Sequence, residues 1–259
     1  MARVEGIGPV LAVTGLKAEA KIAAGLGVTT LAGGGDAARL ALLLQGHLAS
    51  GATAVISFGI AGGLAPGLPA GTVIVADGID DGETFWAADA QWRDRLLGAL
   101  PGAVRGRLAG VDAAVAGAAG KAALHERSRA VAVDMESHIA ARLAALHSLP
   151  FVALRVIADP AERSLPKAAL VGMRPDGTTD VAAVLKALAR KPADLPALIH
   201  TALDARAAFT SLKASRNQLC SLFGFPDGPA KVREPEFDPI MVPGEAGGLV
   251  FADGTAETA

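Results

Sequence analysis

Apolar positions in this chain come in short runs set between stretches with helical spacing. Pro9-Val-Leu-Ala-Val-Thr-Gly15 predicts a first strand, and Leu16-Lys-Ala-Glu-Ala opens a helix after it. A long apolar helix follows to about His47, then strands at Ala54–Phe58 and Thr72–Ala76. Leu108–Val115 predicts another strand, and Ala116–Arg127 a small-residue turn and helix. Ile139, Leu143 and Leu146 recur at helical spacing, with Ala140, Ala141 and Ala144 small enough for close packing on a sheet. After Pro150, Phe-Val-Ala-Leu-Arg-Val-Ile-Ala is apolar except for Arg155, as expected of a strand covered on both faces. Two helices follow, near Asp180–Arg190 and Asp194–Leu212. Leu195, Leu198, Ile199, Ala202, Leu203 and Ala205 give the second an apolar face. Strands alternating with helices predict the α/β class, as one domain with a twisted, mixed central sheet flanked by helices.

Between Leu40 and Ala76 there is no Asp, Glu, Lys or Arg. Pro66, Pro69 and repeated glycines break that stretch into strand-length pieces, so it is read as buried structure and not a membrane span of ~20 residues. No basic segment followed by a long apolar region starts the chain, and a cytoplasmic protein is expected. Its 259 residues suffice for a full core, and the net charge of −2 without a basic cluster argues against nucleic acid as partner. Cys220 stands alone, and the histidines lack metal-site spacing, so neither a disulfide nor a metal is expected. From about Phe225 the composition shifts to Pro, Gly and acidic residues; 1–222 is expected to fold as the domain and 223–259 to be an irregular tail.

The stretch around residues 131–160 carries most of the chemistry. Asp134 and Glu136 are expected in the first turn of a helix, where the dipole favours negative charge. Asp159 ends the apolar strand, at the sheet edge where open α/β sheets bind ligands. The glycine run Gly33-Gly-Gly-Asp36 before a helix is either a tight turn or an anion cradle. Glu19 alone reads as a solvated helix residue. Phe85 and Trp86 read as cover for a loop more readily than as contacts to a base.

Asp-Met-Glu-Ser at 134–137, followed by Arg-Val-Ile-Ala-Asp at 155–159, resembles the signature of the purine nucleoside phosphorylase and methylthioadenosine/adenosylhomocysteine nucleosidase superfamily. The wording Glu-Ser-His-Ile-Ala-Ala-Arg at 136–142 is similar to one branch, the hopanoid-associated phosphorylases, which remove adenine from adenosylhopane. Gly59-Ile-Ala-Gly-Gly-Leu64 matches the superfamily's Gly-x-x-Gly-Gly-Leu loop beneath the ribose, with Ile60 where Ser or Thr is usual and Ala158 where a serine often precedes the aspartate. The likeness runs from about Val10 to Leu222.

That resemblance implies roles for single residues. Asp159 is the acid that protonates the leaving purine. Glu19, four residues after Gly15, activates water. Glu136 binds the ribose hydroxyls and Met135 packs on the sugar; Ile60, Gly62 and the Val111–Val115 segment complete the substrate pocket. Gly33, Gly34, Gly35 and Arg39 supply a phosphate site. Hydrolysis and phosphorolysis both remain open, with no cofactor beyond inorganic phosphate as a co-substrate. The expected substrate is a small purine nucleoside, lipid-linked in adenosylhopane, which brings with it transient contact with the inner membrane surface. A nucleosidase acting on methylthioadenosine or adenosylhomocysteine, another purine nucleoside phosphorylase, or nucleoside binding without catalysis are the alternatives. A homo-oligomer is expected, as in relatives.

Overall fold

The computed structural model describes residues 9–170, 177–178, 180–219 and 222–225; most of the Pro- and Gly-containing polar turn that the sequence predicts over 170–178, and the tail beyond Phe225, lie outside them. In order, the elements are β1 (Val10–Thr14), α1 (Lys17–Ala23), β2 (Val28–Ala32), α2 (Ala37–Ala49), β3 (Ala54–Gly63), β4 (Val73–Asp80) and β5 (Phe85–Ala87). Then come α3 (Ala90–Ala99), β6 (Val104–Gly110), α4 (Ala118–Ser128), β7 (Ala132–Asp134), α5 (Ser137–Leu146) and β8 (Phe151–Asp159). Helices α6 (Lys167–Leu170), α7 (Val181–Arg190) and α8 (Leu195–Gln218) follow.

The sheet is mixed, as expected, and part of it closes on itself. β3 pairs in parallel with β8, β8 antiparallel with β4, β4 and β6 in parallel, β6 and β7 in parallel, and β7 antiparallel with β3. β1 and β2 extend it beyond β3. Successive side chains on a strand face opposite ways, and both faces here are apolar. Leu11, Val13 and Val55 pack with Leu40, Leu44, Ile139 and Leu143 from α2 and α5. Val10, Ala12, Ile56 and Phe58 pack on the other side with Trp92, Leu96, Leu212 and Phe223.

β3 serves two partners along one edge. Val10–Val13 of β1 pairs with Ala54–Ser57, whereas β7 joins β3 only at Gly62 and Gly63. Between them the strand's backbone has no sheet partner on that side, and a fork opens. Buried N–H and C=O groups must be satisfied by something else there.

Several sequence expectations shift. β6 runs Val104–Gly110, earlier than the Leu108–Val115 expected, because Arg105 and Arg107 are held at its rim by Asp77 and Asp80 of β4. The same pairing carries β4 past Ala76 to Asp80. Residues 111–117 are consequently loop. α8 continues to Gln218, and its buried positions are Ala208, Leu212, Ser215 and Arg216; Leu195, Ile199 and Leu203 on the expected apolar face are exposed. Phe223, assigned by sequence to the tail, is fully buried, with its ring 5.1 Å from that of Phe58 and its carbonyl accepting from Trp92 Nε1.

Candidate active site

The fork in β3 is filled by charge. Glu19, in the first turn of α1, is buried, and its Oε1 accepts the Ile60 N–H at 2.8 Å. Its Oε2 accepts the N–H groups of Gly15 and Leu16 at 2.9 and 2.7 Å. The Ile60 carbonyl is met by Arg155 Nη1 at 3.3 Å. The N–H and C=O of Ile60 in the fork are thus satisfied by a carboxylate and a guanidinium. Glu19 is not the solvated residue that its surroundings in sequence suggest. Burial pushes its carboxyl above the ordinary range, while Arg155 and the three N–H donors pull it back down.

Arg155 is the hub of this cluster, and sequence reasoning saw it only as an exception in an apolar strand. Its Nε lies 2.9 Å from Asp134 Oδ2 and its Nη2 3.4 Å from Glu136 Oε2. Nη2 also donates to Ser57 Oγ at 2.6 Å and to Ser137 Oγ at 3.2 Å. A buried guanidinium needs such a set of acceptors, since removing it from water costs several kcal/mol. Ser57 therefore sits behind the pocket, supporting Arg155.

Asp134 and Glu136 do not lie in the helix's first turn. Asp134 ends β7, and its Oδ1 accepts the N–H of Glu136 and of Ser137 at 3.0 and 2.7 Å, capping α5 from outside. Glu136 is the helix's N-cap residue. This leaves its side chain beside the fork, where burial above all raises its pKa to about 7. Arg155 opposes that rise, and the nearby Asp134 and Glu19 carboxylates add to it. Gly15 makes the approach feasible, since a Cβ there would stand 2.8 Å from Glu136 Oε1.

Asp159 ends β8 next to Gly62, where a Cβ would lie 3.3 Å from its Oδ2. That oxygen is 2.5 Å from Nζ of Lys121, a fully buried lysine on α4 that no sequence signal distinguished from a surface residue. Burial raises the Asp159 carboxyl, Lys121 lowers it, and the result stands above the ordinary aspartate value.

One pocket takes in Glu19, Ile60, Gly62, Val111, Met135, Glu136 and Asp159. All the residues expected to catalyse or to bind the nucleoside are brought together. The phosphate set is not. Gly33 and Gly34 donate their amides to the carbonyls of Thr14 and Gly15, which extends the β1–β2 pairing and removes them from an anion cradle. Arg39 Nη1 reaches the Gly33 carbonyl at 3.4 Å and does not line the pocket; of the set only Gly35 does. Phe85 and Trp86 lie outside the pocket, Phe85 under the Arg107 guanidinium and Trp86 bonded to Asp81. Among the described residues, no group of three His, Cys, Asp or Glu is placed to hold a metal, and no helix is long and apolar enough to cross a membrane.

A family model described as the phosphorylase superfamily matches residues 4–190. The chain belongs to the phosphorylase superfamily. Membership makes it an enzyme of the nucleoside phosphorylase and nucleosidase kind. Solved structures share the superfamily fold over most of the chain. Futalosine hydrolase of Helicobacter pylori is 16% identical with a TM-score of 0.60, covering 84% of this chain and 98% of its own. The 5′-methylthioadenosine/S-adenosylhomocysteine nucleosidase of Helicobacter pylori gives 16% and 0.58, over 83% of this chain and all of its own. The S-adenosylhomocysteine nucleosidase of Streptococcus pyogenes gives 16% and 0.58, over 86% and 100%. At that identity the likeness speaks for the fold, and the site must argue the substrate.

Proposed function

We propose that this member of the superfamily hydrolyses the N-glycosidic bond of a 5′-modified adenosine, releasing adenine, and that its substrate is adenosylhopane. The observation that carries the reaction is the convergence of Glu19, Glu136 and Asp159 on one pocket, with Arg155 joining the first two. In this reading the purine lies against the Val111–Val115 loop with N7 toward Asp159. Its departure is eased by a proton from that carboxyl, whose raised pKa keeps the protonated form within reach. The ribose lies over Gly62 and Met135, with its hydroxyls on Glu136. Positive charge that develops on the sugar meets carboxylates already fixed in place. Glu19 takes a proton from the attacking water, and its raised proton affinity makes the ionised form a stronger base.

Water is favoured over phosphate because the described residues lining the pocket include Glu19, Asp134, Glu136 and Asp159 but no Lys or Arg. The two nearby cations are already engaged, Arg155 by Asp134 and Glu136 and Lys121 by Asp159, and neither lines the pocket to receive a phosphate. The committed amides of Gly33 and Gly34 argue the same way. The lipid-linked substrate is supported by the resemblance at 136–142 and by the apolar groups Leu16, Ala114, Val115 and Leu165 around the pocket.

The test is adenine release from adenosylhopane, from a short-chain 5′-alkyl adenosine and from methylthioadenosine, each with and without phosphate. A free reducing sugar in phosphate-free buffer, with the alkyl substrates preferred, is the expected result. A sugar 1-phosphate formed only with phosphate would make the enzyme a phosphorylase. Preference for methylthioadenosine would replace the lipid substrate, and binding without release from any of the three would leave a nucleoside-binding protein.

A further inference from the structure

Lys121 is a buried charge to which the reaction above gives no part. It stands in α4 with no exposed surface, and its Nζ lies 2.5 Å from Asp159 Oδ2. The same nitrogen meets the carbonyls of Asp159, Pro160 and Arg163 at 3.2, 3.0 and 3.0 Å. Three N–H bonds thus face four acceptors, all from the last residue of β8 and the segment that follows it. An ammonium ion satisfies this cage, whereas a neutral amine has one donor fewer and brings a lone pair toward the carbonyls. The helix is tied to the same segment at its start. Ala118 N–H donates to Ser164 Oγ at 3.1 Å and Leu165 N–H to the Ala116 carbonyl at 2.8 Å.

We propose that Lys121 is a positioning residue for Asp159: it holds Oδ2 so that Oδ1 is presented to the pocket, and it sets the pH at which that carboxyl gives up its proton. The assignment rests on the acid role given to Asp159 above. Other charges near this carboxylate are accounted for. Asp204 on α8 faces it and raises its proton affinity, but is itself paired with Arg163; His200 lines the same neighbouring groove. Glu162 is turned to the Gly67 N–H, and Glu19 and Glu136 across the pocket share Arg155. Lys121 is therefore the cation in direct contact, and the ionised form of Asp159 depends on it. A cation at hydrogen-bond distance also makes the protonated carboxyl the stronger acid.

The experiment uses the full chain with ¹³C-carboxyl-labelled aspartate, the Asp159 signal being assigned with Asp159→Asn. It is titrated alongside Lys121→Met and Lys121→Gln, the second of which keeps donors for the carbonyls. In both variants the Asp159 midpoint should rise by about 1–3 pH units. The alkaline limb of adenine release should move up with it, because the protonated acid then persists to higher pH. A midpoint unchanged in a folded variant would reduce Lys121 to a staple for residues 159–163. Should neither variant fold, the ¹⁵Nζ signal of Lys121 is compared between the parent and Asp159→Asn. A marked change in the Nζ signal upholds the pairing, and an unchanged one overturns it. A parent protein that titrates as expected but releases no adenine would sink the glycosidic reading and leave the pairing standing.

Discussion

Gly59 lies so close to Arg155 that a Cβ added there would stand 2.7 Å from its Nη1. Glu19 Oε1 would be met at the same distance. The glycine that opens the Gly-x-x-Gly-Gly-Leu loop is thus needed for the charges behind it, because a methyl group would separate the guanidinium from the carboxylate. Gly59→Ala should cost about 1–3 kcal/mol as overpacking. It should lower kcat for adenine release at least tenfold, read by melting and by steady-state kinetics. A variant with parental stability and rate would mean that the cluster yields without consequence.

Arg155→Met is expected to be more severe. It leaves Glu19, Asp134 and Glu136 buried together without their shared cation, and breaking such a set costs about 3–5 kcal/mol. The loss should shrink at low pH, where the carboxyls take up protons. Denaturation at pH 5 and pH 8 checks this, and an equal loss at both would show that the charges are not what Arg155 balances.

Glu136 gives a pH dependence of definite sign. Its folded pKa of about 7 lies above the ordinary 4.5, so the folded protein holds this proton more tightly than the unfolded chain. Its contribution to stability is present below pH 4.5 and is lost as pH rises through about 7. Glu136→Gln should therefore raise the melting temperature at pH 8 and leave it nearly unchanged at pH 4. A lower melting temperature at pH 8 would contradict the direction of the shift.

The same carboxylate should distinguish sugars. Glu136→Ala is expected to reduce kcat/KM for ribonucleosides by tenfold or more while affecting 2′,3′-dideoxy analogues little, since a lost charge-assisted hydrogen bond is worth about 1.5–3 kcal/mol. Equal losses on both would remove Glu136 from the ribose.

Phe223 tests where the domain ends. It is fully buried against Phe58, with the Arg216 guanidinium 4.3 Å from its ring centre. Phe223→Ala should cost about 3–5 kcal/mol, measurable by denaturant unfolding. A negligible loss would place the boundary back at 222.

Much of this was legible in the chain. The unbroken apolar run at 151–158 could hardly be anything but a strand with both faces covered, and it delivers Asp159 where a strand should. The helical spacing of Ile139 and Leu143 likewise points them into the core. What stayed hidden depended on partners far away in sequence. Arg155 and Lys121 are single charges whose meaning lies in acceptors from other elements, and nothing local marks Lys121 among the Ala, Glu and Arg of α4. The apolar spacing at Leu195, Ile199 and Leu203 misled because periodicity reports a face without saying what meets it. Glycines at 33–35 looked like an anion cradle because sequence does not show whether an amide is already occupied.

Ile60 stands where the resemblance implies a hydroxyl, yet its hydrogen bonds to the charges of the site come from its main chain. Its amide anchors Glu19 and its carbonyl anchors Arg155. The divided pairing of β3 therefore moves information from the side chain to the main chain, and position 60 becomes permissive. Threonine, valine or isoleucine could each serve there, and proline, which has no amide hydrogen, could not. A catalytic group held in this way is insulated from substitution at the residue that holds it.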